Sequence, residues 1–216
     1  MRLAVPLIRQ PENSVECGPA CIEMVMKYHG KRASRAQILK DVVLLDGGVF
    51  TAQIGAYFIK KGFSAEIQAM NPAAYLKGDI ERPQGEILAL LKKYDPEGDP
   101  SSAFSKSALI NFMGNGGVYT PKLPTIGDIA SELDAGNPII ASLTTRWHCG
   151  YPARLNFHYN VITGYDEKSI FTNDPGGKFG GKKEYLHDEF LFTLYAISRS
   201  LGSGSLLKVR PRAKKG

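Results

Sequence analysis

The residues that could do chemistry lie in two distant stretches. The first is Glu16-Cys17-Gly18-Pro19-Ala20-Cys21, directly ahead of the apolar residues Ile22, Met24, Val25 and Met26, with Gln10 seven residues before Cys17. The second is Phe157-His158-Tyr159-Asn160-Val161-Ile162-Thr163-Gly164-Tyr165-Asp166, followed by Thr172-Asn173-Asp174-Pro175. A thiol attacks as the thiolate, and an ordinary cysteine is mostly protonated at neutral pH. A helix N-terminus favours the anion through its unpaired N–H groups and its dipole. Cys17 opens such a helix. Gly18 is expected to leave room for a substrate backbone, having no Cβ. Pro19 falls in the first turn, where a missing N–H costs nothing.

A nucleophilic thiol needs an imidazole beside it, oriented in turn by a third group. His158 supplies the imidazole. If the strands on either side of Asp166 form a hairpin, His158 and Asp174 lie directly opposite on one face, with Cβ atoms about 4.5–5.5 Å apart. A turn of about three to five residues fits this register. Asn173 then faces the other way, and a single bulge would exchange the two, which makes Asn173 the second candidate for the orienting role. The Gln10 side-chain amide, with the backbone N–H of Cys17, would form a two-donor oxyanion hole.

The remaining titratable groups have plainer readings. Cys21, one turn below Cys17 on the apolar face, is expected to be a buried small hydrophobe. His29, at a helix C-terminus, is expected to act as a favourable end charge or to be a surface group, and His187 to open a helix without a catalytic partner. In Trp147-His148-Cys149-Gly150-Tyr151, Trp147 and Tyr151 are expected as apolar walls of a groove. Cys17 and Cys21 together with Cys149 and either His148 or His158 could bind zinc, but neither Cys-x-x-Cys nor His-Glu-x-x-His occurs.

The elements that must position these groups follow from periodicity and breakers. Helices are predicted over 17–29, 35–42, 51–61, 83–94, 125–135 and 187–194, with Ser34 and Thr125 as caps and Gly30, Gly62 and Gly136 as stops. Strands are predicted over 3–8, 63–69, 138–143, 158–165, 169–174 and 195–198. Helices precede strands, so the class is α+β with an antiparallel sheet. One domain over 1–205 is expected, with 71–124 as an insertion or groove-forming region and 95–102 as loop.

The chain has 216 residues, of which 43% are hydrophobic and 22% charged, ordinary for one globular domain. Five of the residues behind its net charge of +6 fall in the last nine: Lys208, Arg210, Arg212, Lys214 and Lys215. Residues 206–216 therefore read as a basic flexible tail, and no nucleic-acid contact is predicted. Three cysteines make an odd number, which favours a reducing compartment or a catalytic thiol over a disulfide framework. The apolar run at 3–8 is short and broken by Pro6, unlike a signal-peptide core. No stretch approaches the roughly 20 apolar residues of a membrane span. A cytoplasmic setting is expected.

The order Gln10, then Glu16 to Ala20, then His158-Tyr159-Asn160-Val161-Ile162-Thr163-Gly164, then Asp174-Pro175 resembles the papain-like cysteine peptidases. Within them it is most similar to the bacteriocin-processing, double-glycine leader peptidase family and its free-standing relatives, and the likeness spans most of the chain. The resemblance implies a papain-like fold, with an N-terminal helical lobe carrying the nucleophile packed on an antiparallel sheet lobe. It implies Cys17 as nucleophile, His158 as base, Asp174 as orienter and Gln10 as oxyanion donor, acting on a peptide or protein substrate with no cofactor or metal. An acyltransferase or transpeptidase would use the same residues, because both reactions share the first half-reaction. A non-catalytic peptide-binding module and the zinc module are the readings from other classes.

Overall fold

The computed structural model describes residues 1–96, 98–144, 157–197, 201 and 204–212. Helix α1 (Cys17–Tyr28) is its central element, and every residue from Gly18 to Met26 is buried. A helix apolar on nearly all sides must be surrounded. Its one buried acid, Glu23, is neutralised by Lys27 at 3.0 Å and Arg35 at 3.2 Å. Helix α2 (Arg35–Asp41) starts where expected, with the Ser34 hydroxyl accepting from the Gln37 N–H. Then follow α3 (Thr51–Lys60), β1 (Phe63–Gln68), a 3-10 turn (Lys77–Glu81), α4 (Gln84–Lys93), α5 (Pro100–Gly114), β2 (Val118–Thr120) and α6 (Ile126–Asp134). The chain continues through β3 (Ile139–Leu143), β4 (His158–Tyr165), β5 (Ser169–Asp174), β6 (Gly181–Leu186), α7 (His187–Tyr195) and β7 (Leu206–Pro211).

The strands form one seven-stranded sheet in the order β2-β1-β7-β3-β4-β5-β6. Only β1 and β2 pair in parallel; the other neighbours are antiparallel. Helices cover both faces. On one side Ile22, Val25, Ile54 and Phe112 pack with Ile140, Val161, Leu207 and Val209. On the other, Ile129, Leu133, Phe190 and Leu194 pack with Ile139, Ala141, Ile162 and Leu206. Alternate residues of β3, β4 and β7 feed opposite cores, as a period of two requires. The fold is α+β, with the helix that begins at Cys17 packed on a largely antiparallel sheet.

Several expectations need correction. Residues 206–211 are not a tail. Leu206, Leu207 and Val209 are fully buried, and β7 lies between β1 and β3 inside the sheet. Its cations are matched: Lys208 approaches Glu66 at 3.7 Å, and Arg210 bonds both Glu66 and Glu132. Residues 213–216 lie outside the described part. The expected loop over 95–102 instead holds the start of α5, with the Asp99 side chain accepting from the N–H groups of Ser101 and Ser102, and Pro100 in the first turn. Tyr195 ends α7 rather than opening a strand. Residues 3–8 are not a strand. The N-terminus makes a single bridge from Arg2 to Gly164 and runs on as an extended segment, with the Asn173 amide donating to the Val5 carbonyl at 2.9 Å. Pro6 has no N–H with which to continue a ladder.

Candidate active site

His158 opens β4 and Asp174 ends β5, and their side chains meet with Nε2 and Oδ1 2.6 Å apart. Both are buried, His158 at 4% exposure and Asp174 at 0%. They do not pair directly across the hairpin. Asn173 stands opposite Val161, and Thr172 opposite Ile162. Near the turn the register differs by one residue, with Tyr165 opposite Ile170, and a bulge between Ile162 and Gly164 absorbs the difference. Without that bulge, Asp174 would face away from His158, because a one-residue slip turns every side chain over. The expected pair is therefore formed by a register other than the expected one. Beside the bulge, Gly164 lets the N-terminal segment approach the strand: a Cβ there would lie 2.5 Å from the Met1 carbonyl oxygen and 3.0 Å from the Arg2 Cα.

Asp174 Oδ1 also accepts the Gly176 N–H at 2.7 Å, a side-chain turn of the kind that Asp-Pro-Gly sequences favour. Arg9 clamps the same loop, its guanidinium donating to the carbonyls of Gly176 at 2.8 Å and Gly177 at 2.6 Å. Asn173 points away and holds the N-terminal segment, so it has no orienting role.

Cys17 is half-buried at the start of α1. The first bond of the helix runs from the Ala20 N–H to the Glu16 carbonyl, and no side chain caps the helix. Glu16 bonds Arg35 at 3.0 Å instead, which leaves the first-turn N–H groups available to the site. Burial pushes the Cys17 thiol up. The hydrogen bond and charge of His158, then backbone hydrogen bonds from Tyr159 and Gly18, outweigh burial and hold it below the ordinary thiol range. Burial pushes His158 down, but its bonds to Asp174 and Cys17 and the attraction of both outweigh it and push it up to about 10. Nε2 is committed to Asp174, so Nδ1 is the nitrogen that serves the thiol. The two shifts together favour a thiolate–imidazolium pair.

Gly18 does not leave the space expected of it. A Cβ there would lie 2.3 Å from Val49 Cγ2 and 3.1 Å from Ile54 Cδ1, so the missing side chain lets α1 pack on the segment before α3. Gln10 sits on the neighbouring loop. Its N–H donates to the Pro175 carbonyl at 2.8 Å, and its Nε2 to the Ser14 carbonyl at 2.7 Å. Its Oε1 is buried without a hydrogen-bond partner among the described residues.

The other candidates separate cleanly. Cys21 is fully buried, its thiol 3.3 Å from the Tyr159 carbonyl, and burial pushes its pKa well up. His187 bonds the Asp166 carbonyl at 3.1 Å, on the surface. His29 is not an end charge: it packs edge-on against Tyr28 and tilted against Phe63, and burial lowers its pKa. Trp147, His148, Cys149 and Tyr151 lie outside the described residues. Among the described residues, no three His, Cys, Asp or Glu side chains converge to hold a metal, and no helix is long and apolar enough to cross a membrane. Sequence reasoning missed Arg9 and Arg35, which brace the two ends of the site. Neither belongs to a spacing pattern; each is recognisable only from the carbonyls and acids it reaches.

Solved structures share this architecture. A double glycine motif protease from an AMS/PCAT transporter, crystallised in complex with the leader peptide, is 18% identical, with a TM-score of 0.51 over 98% of this chain and 94% of that one. The peptidase domain of Streptococcus ComA, a bi-functional ABC transporter involved in quorum sensing, is 14% identical, with a TM-score of 0.50 over 95% of this chain and 98% of the other. At these identities the likeness is one of fold. No curated protein matches. The Peptidase_C39 like family model matches residues 2–196, nearly the whole of the chain, and the protein belongs to that family.

Proposed function

We propose that the protein is a cysteine peptidase. The observation that carries this reading is the buried 2.6 Å His158–Asp174 pair beside a thiol whose pKa is lowered. In the proposed cycle the Cys17 thiolate attacks a peptide carbonyl, forming the carbon–sulfur bond and moving the carbonyl electrons to oxygen. The Cys17 N–H and the second N–H of Gln10 Nε2 would stabilise that oxyanion; the first N–H is committed to Ser14. His158 gives its proton to the leaving amine as the carbon–nitrogen bond breaks, leaving a thioester. Neutral His158 then takes a proton from water, whose oxygen attacks the thioester. The thiolate departs with the imidazolium restored. Asp174 holds the ring and its charge throughout.

A peptide substrate is further supported by the leader peptide bound in the transporter protease of similar fold. Two measurements test the reading: alkylation of Cys17 by iodoacetamide across pH, followed by intact mass, and mass-spectrometric analysis of a peptide mixture for new termini. Fast labelling below pH 7 that requires both Cys17 and His158, with cleavage lost in Cys17→Ala, is the expected result. Labelling no faster than an ordinary thiol of pKa about 8.5 overturns it. New amide products formed with an added amine, in preference to hydrolysis, would make the enzyme an acyltransferase.

A further inference from the structure

Oδ1 of Asp174 serves two donors, His158 Nε2 at 2.6 Å and the Gly176 N–H at 2.7 Å. Its Oδ2 is buried without a hydrogen-bond partner among the described residues. A buried carboxylate oxygen with no donor is costly, and a carboxylate held at one oxygen alone is free to turn. A second acceptor in the same state belongs to Asn160, on β4. This residue is fully buried; its Nδ2 donates to Thr172 Oγ1 at 3.3 Å, and its Oδ1 has no partner among the described residues.

The sheet sets the two orphaned acceptors side by side. Val161 is opposite Asn173 and Ile162 is opposite Thr172. The same register, carried one residue on, sets Asn160 opposite Asp174. Residues so paired point to one face with Cβ atoms about 4.5–5.5 Å apart, within reach of an amide and a carboxylate. His158 shares that face, two residues before Asn160, and reaches Asp174 along the diagonal. On its other side Asn160 faces Ala141 of β3, which offers only a methyl. Across the ladder, the polar side chains within reach of this amide therefore come from β5, and they are Thr172 and Asp174.

The two ends of an asparagine amide have the same shape and opposite roles. Turned end for end, Asn160 gives Nδ2 to Asp174 Oδ2 and offers Oδ1 to the Thr172 hydroxyl, which is a donor. Both orphaned acceptors then have a donor, and no third group moves. We infer that Asn160 is a positioning residue: its amide holds Asp174 Oδ2, so that Oδ1 stays on His158 and the imidazolium stays beside the Cys17 sulfur. The inference deepens the peptidase reading and rests on it.

The test reads iodoacetamide labelling of Cys17 at pH 6 by intact mass, which needs no substrate. Asn160→Leu keeps the branched shape and removes the donor. It is expected to slow labelling about tenfold, the effect of one unit in the thiol pKa. In Asp174→Asn the charge to be held is gone, and adding Asn160→Leu is expected to slow labelling no further. Equal slowing in both backgrounds marks a packing defect and overturns the inference, as does an unchanged rate in Asn160→Leu. A second measurement needs no change at 160: the side-chain amide resonance of Asn160 in protein labelled with ¹⁵N-asparagine. It is expected downfield and slow to exchange with solvent, with the downfield shift lost in Asp174→Asn and kept in Thr172→Val. A resonance that responds to Thr172→Val and not to Asp174→Asn leaves the amide on Thr172 and overturns the inference. Coupling of Asn160 to Asp174 without cleavage of any peptide would leave the positioning standing and remove the peptidase reading. Cleavage without that coupling would do the reverse.

Discussion

Two thiols stand one turn apart on α1 and have opposite characters. Cys17 is half-buried and held below the ordinary thiol range; Cys21 is fully buried and pushed well above it. Both are desolvated, so burial alone does not separate them. Their neighbours do: the hydrogen bond and charge of His158 lower Cys17, while the charges of Cys17 and Asp174 raise Cys21. Tyr159 offers its backbone N–H to Cys17, where it stabilises the anion, and its carbonyl to Cys21, where it holds the proton. His158 then adds its charge to the upper thiol. The two thiols are divided by their charged neighbours, the His158 cation at Cys17 against the negative charges of Cys17 and Asp174 at Cys21, within a distance of about 6 Å along the helix.

The difference can be broken most severely at His158. On the proposed cycle, His158→Ala removes the cation and the base together, so peptide turnover should fall by about 10²–10⁴-fold, with iodoacetamide labelling of Cys17 dropping to that of an ordinary thiol. Cys21→Ala should leave both readouts near wild type. Equal losses in the two variants would show that the two thiols act together.

The pH dependence sharpens the contrast next. The thiolate form of Cys17 grows as pH rises through its lowered pKa, so at pH 6 it should label roughly tenfold or more faster than an ordinary thiol. Cys21 should stay unlabelled in the folded protein. Turnover needs the thiolate and the imidazolium together. It should rise on the acid side with Cys17 and fall on the basic side as His158 loses its proton, at about 10. A basic limb close to pH 7 would contradict the His158–Asp174 pairing.

Smaller effects test the packing that separates the two thiols. Gly18→Ala drives a Cβ to 2.3 Å from Val49 and should cost about 1–3 kcal/mol in denaturant unfolding, with slower labelling of Cys17 as the helix start shifts. Cys21→Ala removes one buried sulfur and its bond to Tyr159. It should cost about 1 kcal/mol, without touching the pH profile.

Much of this site can be read along the chain. A cysteine before an apolar helical run, and a histidine and an acid on adjoining strands, are local patterns. The residues they pick out do meet. A direct cross-strand pairing picks out Asp174 as the partner of His158, and that pairing does not occur. The bulge before Gly164 restores the shared face, and that bulge lies where Met1 and Arg2 cross the strand. No hairpin rule contains a contact with the far end of the chain.

Two elements were hidden for different reasons. In β7, counting Lys208 and Arg210 as solvated charges obscured the apolar residues between them, because their partners Glu66 and Glu132 come from β1 and α6. Helix α5 carries its cap in Asp99-Pro100, but its buried residues include Ser102 and Ser105 beside Leu109, Phe112 and Met113. That mixture does not draw a single apolar stripe.

From its sequence alone, the chain determined its class, its principal helix starts and the identity of the thiol, imidazole and carboxylate, because residue type and local period carry that information. Tertiary structure decided the rest. It set the bulged register that turns Asp174 toward His158, the charged neighbours that divide the two thiols, the place of β7, and an apolar cavity between α5 and β4. Each depends on groups far apart in the chain being brought within bonding distance, and no local pattern encodes such a distance.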